Sequence, residues 1–463
     1  MRPFLTLLLA ATTLAGCAVG PNYERPAPPA TGVGGFVSTS AAVSTEAPRD
    51  DWWRLFADPT LDTLVAQALE ANRDLAAAEA GLARVRASLS ESRVGLLPTT
   101  TTTASAQRVR QVFPGFGQTE GDQYRAGVDV SYEVDLFGRV RRTIEASRAD
   151  VGAAEAARDA VRLSVAAETA RAFADVCAGN AQLAVARRTV SLLEESLSLT
   201  QRQLDAGRGT GLDVAQAAAQ AESTRSSIPS LEAAREAAVF RLTTLLGVTP
   251  SQAPAAARAC TSAPRVAGAI PVGDGAALIQ RRPDVRQAER QLAAATARVG
   301  VATAALYPTI TLGGSLSTFS QRTADFGDDF QYSIGPLISW SFPNIFATRA
   351  RIRQAGASAD EALARFEGTT LSALSETETA LSNYARELDR RTALTRARDR
   401  SAEAARLARM RFEAGRDSFL VVLDAERTLA GLEAQLAQSE AAVTTAQVVL
   451  FKALGGAWSQ PAA

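Results

Sequence analysis

Leu420, Asp424 and Arg427 stand four and three residues apart, a spacing that puts side chains on one face of an α-helix. A charged stripe with an aliphatic group above it, beside an apolar seam and close to a tight turn, suits a gate rather than bond chemistry. The rest of the chain offers no stronger chemistry. Histidine is absent, which removes His-dependent triads, His-ligated zinc and His-ligated haem. Three cysteines cannot build a four-thiolate site. Gly207-Arg208-Gly209-Thr210-Gly211 has the look of a phosphate loop, but it joins two predicted helices rather than a strand and a helix. No catalytic residue, metal or cofactor is assigned, and the chain is not expected to be an enzyme.

The stripe opens a helix that follows a tight turn at Ala414-Gly415-Arg416. Behind it Val422, Leu429, Leu436, Val443 and Leu450 recur every seventh residue. Ala425, Leu432, Ala446 and Ala453 hold the companion positions, with Ser439 as one polar lapse. That is a coiled-coil seam.

The 463 residues carry a formal net charge of zero, so no field draws the chain to nucleic acid or anionic lipid. Basic residues are almost all arginine, with Lys452 the only lysine. Met410 is the only methionine besides Met1, which argues weakly against a dedicated copper or silver conduit.

The N-terminus reads as an export signal. Arg2 is followed by a short apolar run, Phe4–Leu14, too short to span a bilayer. Leu14-Ala15-Gly16-Cys17 then resembles a bacterial lipobox, with Cys17 as the lipidated first residue of the mature chain; an ordinary signal peptide with an incidental cysteine is the alternative. Ala18 after the cysteine points to the outer membrane, as in lipobox proteins generally. Cys177 and Cys260 fall at similar predicted distances from the first helical tip. An oxidising periplasm makes a disulfide between them possible; two buried free thiols are the other reading.

Two copies of one unit make up the mature chain. Asn72-Arg73-Asp74-Leu75 answers Arg282-Pro283-Asp284-Val285, and Leu96-Leu97-Pro98 answers Leu306-Tyr307-Pro308. Ala206-Gly207-Arg208 answers Ala414-Gly415-Arg416, and Leu246-Gly247 answers Leu454-Gly455. The offset holds at 208 to 210 residues throughout. Each copy reads helix, strand, loop, strand, very long helix, tight turn, helix, with the first helix running unbroken from Pro59 to about Leu96.

Tyr124, Ala126, Val128, Val130, Tyr132 and Val134 alternate with Arg125, Gly127, Asp129, Ser131, Glu133 and Asp135. In the second copy Tyr332, Ile334, Pro336, Ile338, Trp340 and Phe342 oppose Gln331, Ser333, Gly335, Ser339 and Ser341, with Leu337 an exception. The partner strands are Thr99–Arg110, which alternates poorly, and Thr309–Phe319. Apolar-out, polar-in alternation with aromatics near the ends is the pattern of transmembrane β-strands. Four strands cannot close a barrel, and open edges are not tolerated in lipid. Other copies must supply the rest, and the sequence does not choose between two and three. The helices from about Arg139 to Ala206 and Ala347 to Ala414 are each on the order of 100 Å long, so they must lie in a bundle or coiled coil.

At this point the residues resemble a family. Gly20-Pro21-Asn22-Tyr23-Glu24-Arg25-Pro26, Trp52-Trp53, Tyr132-Glu133-Val134-Asp135-Leu136-Phe137-Gly138-Arg139 and Arg281-Arg282-Pro283-Asp284-Val285-Arg286 with Ala288-Glu289-Arg290 look like the outer membrane factors. Ala414-Gly415-Arg416 followed by Leu423-Asp424-Ala425 completes the set. These are TolC-like channels, here of the NodT-like lipoprotein branch found with RND-type efflux pumps. The resemblance implies an α+β membrane protein: a homotrimer with a 12-stranded β-barrel, four strands per chain, continued by an α-helical coiled-coil periplasmic tunnel. It implies an exit duct in the bacterial outer membrane for drugs or other small molecules. The implied partners are a periplasmic adaptor, an inner-membrane RND-type pump and outer membrane lipid. It maps a sealing leucine to Leu420, an aspartate ring to Asp424 and its arginine partner to Arg427; a second aspartate ring is missing, because Val421 stands there. The turns Ala206-Gly207-Arg208 and Ala414-Gly415-Arg416 match the tips where an adaptor docks. A type I secretion channel and a non-channel coiled-coil lipoprotein are the alternatives.

The expected division is a signal peptide at 1–16, a lipidated extended tether at 17–50 and a first repeat at 51–248. An inter-repeat equatorial linker follows at 249–272, then a second repeat at 273–456 and a tail at 457–463.

Overall fold

A computed structural model of the chain describes residues 18–27, 34–38, 40–113, 117–343 and 345–456. The signal segment, Cys17 and the 457–463 tail lie outside the described residues. In chain order, strand β1 (Val43–Ser44) and a 3-10 turn at Trp52–Phe56 precede α1 (Pro59–Ala71) and α2 (Arg73–Val94). The hairpin β2 (Thr99–Phe113) and β3 (Gly117–Val134) leads into α3 (Arg139–Asp205), α4 (Gly211–Arg225) and α5 (Ile228–Leu245). The linker holds α6 (Ala255–Arg258) and β4 (Ile270–Pro271). The second copy runs α7 (Gly275–Arg281), α8 (Pro283–Ala304), β5 (Thr309–Ser320), β6 (Phe330–Ser339), α9 (Ile345–Glu413) and α10 (Phe419–Ala453). Two compact units result. One is formed by the stretches up to Pro26, Ala80–Ala156 and Gln287–Gly368, the other by Ala27–Glu79, Ala157–Arg286 and the chain from Thr369.

The first unit is built on an antiparallel four-stranded sheet in the order β2-β3-β5-β6. The register is free of slips, so residues facing each other across strands share a side. Val128 pairs with Leu316, which pairs with Tyr332; Val130 with Gly314 and Ile334; Val134 with Ile310 and Ile338. One face is therefore apolar and the other polar, as the alternation requires. Leu337 does lie on the polar face, opposite Thr311. Strand β2 gives the apolar face only Thr100, Thr102, Ala104 and Ala106, which is why its alternation is weak in sequence. Beyond Tyr124 the same face turns charged, with Arg108 paired to Glu120 at 2.9 Å. Strands β2 and β6 are the sheet's two edges, and Tyr332, Ile334, Leu337 and Ile338 on β6 are all exposed.

The N-terminal segment is seated in this unit. Val19 donates its N–H to the Phe137 carbonyl at 3.2 Å. The buried Arg142 guanidinium donates to the Val19 and Gly20 carbonyls and, at 2.7 Å, to Asn22 Oδ1. Tyr23 donates its hydroxyl to Glu289 at 2.9 Å, and burial together with that carboxylate pushes the phenol up to about 12. Gly20 has φ +90°, and a Cβ there would meet the Gly300 Cα at 2.5 Å. The Gly-Pro-Asn-Tyr run thus makes specific contacts and is no free tether over this length.

The second unit is a helical bundle whose core forms around Trp52, stacked on Phe451 at 4.9 Å, with Phe173, Leu61, Leu242 and Leu450. The α10 heptad faces inward: Val422, Leu436, Ser439, Val443, Leu450 and Ala453 are buried. The expected unbroken helix from Pro59 is two helices. Asn72 takes an extended conformation, and its Oδ1 accepts from the Asp74 and Leu75 amides while its Nδ2 donates to Leu245. One side chain thereby caps a helix and satisfies a carbonyl far away in sequence. The second copy breaks at the matching place, Arg282, between α7 and α8. The helix after the first tip is also two helices, parted at Ser226-Ser227 ahead of Pro229. Linker strand β4 pairs in parallel with β1 of the 17–50 segment. Cys177 and Cys260 are joined by a disulfide with Cα atoms 5.1 Å apart, closing a sequence separation of 83 residues. None of the described helices is long and apolar enough to cross a membrane.

Candidate functional site

The two tips are built alike. Gly207 and Gly415 have φ +70° and +66°, a backbone state that costs glycine little. At the first tip Arg208 N–H reaches Gln203 O at 2.8 Å and Gly207 N–H reaches Leu204 O at 2.9 Å. At the second, Arg416 N–H reaches Arg411 O and Gly415 N–H reaches Phe412 O, both at 2.9 Å. Each is a Schellman closure that satisfies the last carbonyls of a long helix. Ala206, Gly207, Arg208, Ala414, Gly415 and Arg416 are all exposed.

Local pairs stiffen both turns. Thr210 and Asp213 form a capping box at the start of α4. Arg411 grips Asp417 with two bonds of 2.6 and 2.9 Å across the second turn. That guanidinium holds the Asp417 carboxyl below the usual carboxylate range. A depressed carboxyl pKa means the pairing is fully present above the ordinary carboxylate range and is lost as pH falls through the depressed value. Beneath the turn, Ala217, Ala408, Phe412, Phe419, Val422 and Leu423 form a buried cluster, with the Phe412 and Phe419 rings 5.7 Å apart. It fixes the direction in which α10 leaves the tip.

The stripe lies on the outside of that cluster. Leu420 is 53% exposed, and Asp424 and Arg427 are exposed on the same helical face. The expected Asp424–Arg427 pair is not formed within the chain. Arg427 Nε donates instead to Gln220 Oε1 of α4 at 2.6 Å, and among the described residues Asp424 has no ion pair. Three side chains that could seal or repel are thus presented outward, with one tie from α10 to α4.

A second polar group lies close by, at a position the sequence pattern does not single out. Glu426, nearly buried, accepts from Ser196 Oγ of α3 at 2.9 and 3.0 Å and from Arg409 Nη2 of α9 at 2.5 Å. It ties three helices together one turn below the tip cluster. The signal for it was present: Phe419, Val422, Leu423 and Glu426 continue one stripe at helical spacing, with a carboxylate where an apolar residue would follow.

Comparison with known proteins agrees with this architecture. The outer membrane efflux protein family profile matches residues 64–248 and 276–456. The outer membrane protein OprJ of Pseudomonas aeruginosa is 33% identical over 470 residues, covering 98% of this chain and 96% of that protein. The pyoverdine export outer membrane protein OpmQ of the same species is 33% identical over 418 residues, covering 88% and 87%. Among solved structures the outer-membrane channel OprN superposes with a TM-score of 0.90 at 37% identity, covering 96% of this chain and all of that one.

Proposed function

The chain belongs to the outer membrane efflux protein family, and from that premise we propose how its residues serve as the outer membrane channel of an efflux system. The observation that carries the reading is the sheet with two unpaired edges and one exposed apolar face. Edges in lipid must be paired. Edge β6 of one copy joins edge β2 of the next, and three copies give twelve strands with the apolar face outward. The polar face then lines a shared pore.

Cys17 carries the lipid, one residue before Ala18. Ala18 packs on Gly138 at the foot of the sheet: a Cβ on that glycine would sit 2.8 Å from the Ala18 Cα. Acyl chains add roughly 0.8 kcal/mol per buried CH₂, so anchor and sheet hold the same membrane. The exposed turns Ala206-Gly207-Arg208 and Ala414-Gly415-Arg416 dock a periplasmic adaptor that links the channel to an inner-membrane RND-type pump. Leu420, Asp424 and Arg427 converge on the three-fold axis, where Leu420 packing and the Arg427 ties hold the pore shut at rest against the mutual repulsion of the Asp424 carboxylates. Adaptor binding opens it by its higher affinity for the splayed tips.

Purified Arg427→Ala protein, with the tip gate released, is expected to give discrete conductance steps in a planar bilayer and to migrate differently on gels with and without heating. Stable insertion of this variant with no conductance at any voltage would overturn the channel reading.

A further inference from the structure

We propose that the barrel carries its own charge filter: a ring of Asp129 carboxylates nearer the helices and a ring of Arg125 guanidiniums nearer the hairpin turns. The inference rests on the trimeric barrel described above. The strand register fixes which side chains face the pore, since the residues that share a side with Ser131 and Ser315 line it. Among the described residues of the four strands, that face holds three charges per chain, Arg125, Asp129 and Glu133. All three come from β3.

The three are not equivalent. Glu133 is ion-paired with Arg139 at the start of α3, so its charge is compensated where it stands. Asp129 faces Thr101 and Ser315 across the strands, and among the described residues it has no ion pair. Arg125 faces Ser105 and Phe319, and its guanidinium sits over the Phe319 ring, 5.0 Å from the centroid. A cation–π contact positions the cation without neutralising it. Two uncompensated charges of opposite sign therefore remain.

Four residues of strand separate them by about 13 Å, and strand tilt shortens that to about 10 Å along the pore. The Debye length at physiological ionic strength is about 8 Å. A permeating ion meets the rings one after the other rather than as a cancelled pair. Rings of charged side chains are a known basis of selectivity in pores. Here the negative ring opposes anions and the positive ring opposes cations, so each masks the preference the other would impose.

The masking gives the test its signs. Permeability ratios of potassium to chloride are measured from reversal potentials in planar bilayers under a KCl gradient, in an Arg427→Ala background that holds the tip gate open in parent and variants alike. Asp129→Asn leaves the Arg125 ring and is expected to shift the ratio towards chloride. Arg125→Gln leaves the Asp129 ring and is expected to shift it towards potassium. A change of one kT in local potential corresponds to about threefold in each case. Asp129→Glu and Arg125→Lys keep the charge and are expected to keep the parental ratio. Conducting channels in which both neutralised variants match their parent, or shift the same way, would overturn the charge filter while leaving the channel intact. A parent that forms no channels would instead overturn the trimeric barrel.

Discussion

Arg427→Ala is expected to open the channel. In each chain Arg427 ties α10 to Gln220 of α4, at an exposed site where a charge-assisted hydrogen bond contributes about 1 kcal/mol after allowance for solvent. Three copies acting together give about 3 kcal/mol, on the order of a hundredfold in the ratio of open to closed states. Asp424→Asn is expected to act in the opposite direction. Carboxylates converging to ~6 Å repel by about 3 kcal/mol per pair at an effective dielectric of ~20, so neutralising them favours closure. Single-channel recordings read both effects as open probability and mean conductance. Parental conductance in both variants would remove these residues from the gate and leave them a solvated surface pair.

The second large effect is expected at Arg409. The Glu426 side chain is 9% exposed and the Arg409 side chain 30%. Arg409→Ala leaves a nearly buried carboxylate with only the Ser196 hydroxyl, a loss of about 3 kcal/mol. Glu426→Ala frees a guanidinium that can reach water, with Glu195 already 3.9 Å away, and is expected to cost about half as much. Replacing both, with Arg409→Met and Glu426→Leu, is expected to recover most of the stability, because no charge is left buried. Amide exchange over the first turns of α10 reads the local effect, and thermal melting of the assembly reads the global one. Equal losses from the two single variants would contradict burial of the carboxylate as the cause.

What could be read from the sequence was periodic or local. The period of two in Tyr124–Val134 and Tyr332–Ile338 gave the faces of the sheet, and the structure's register matches them, Leu337 included. The heptad from Val422 gave the buried side of α10. The turns around Gly207 and Gly415 were legible because a positive φ after a long helix calls for glycine. What escaped depends on partners distant in sequence. Asn72 interrupts a good helical pattern because its amide is held by Leu245. Arg427 takes Gln220 rather than Asp424 because α4 packs beside α10. Glu426 was hidden by its own chemistry: a glutamate on a helix is normally a surface residue, and only Ser196 and Arg409 make its burial tolerable.

The mass of the native assembly tests the central claim most directly. Protein extracted in mild detergent should enter the mass spectrometer as three chains with their lipid, and its circular dichroism should retain a β component. A single-chain species with no β signal would mean that the sheet edges are not paired between copies, and the pore built on them would not exist.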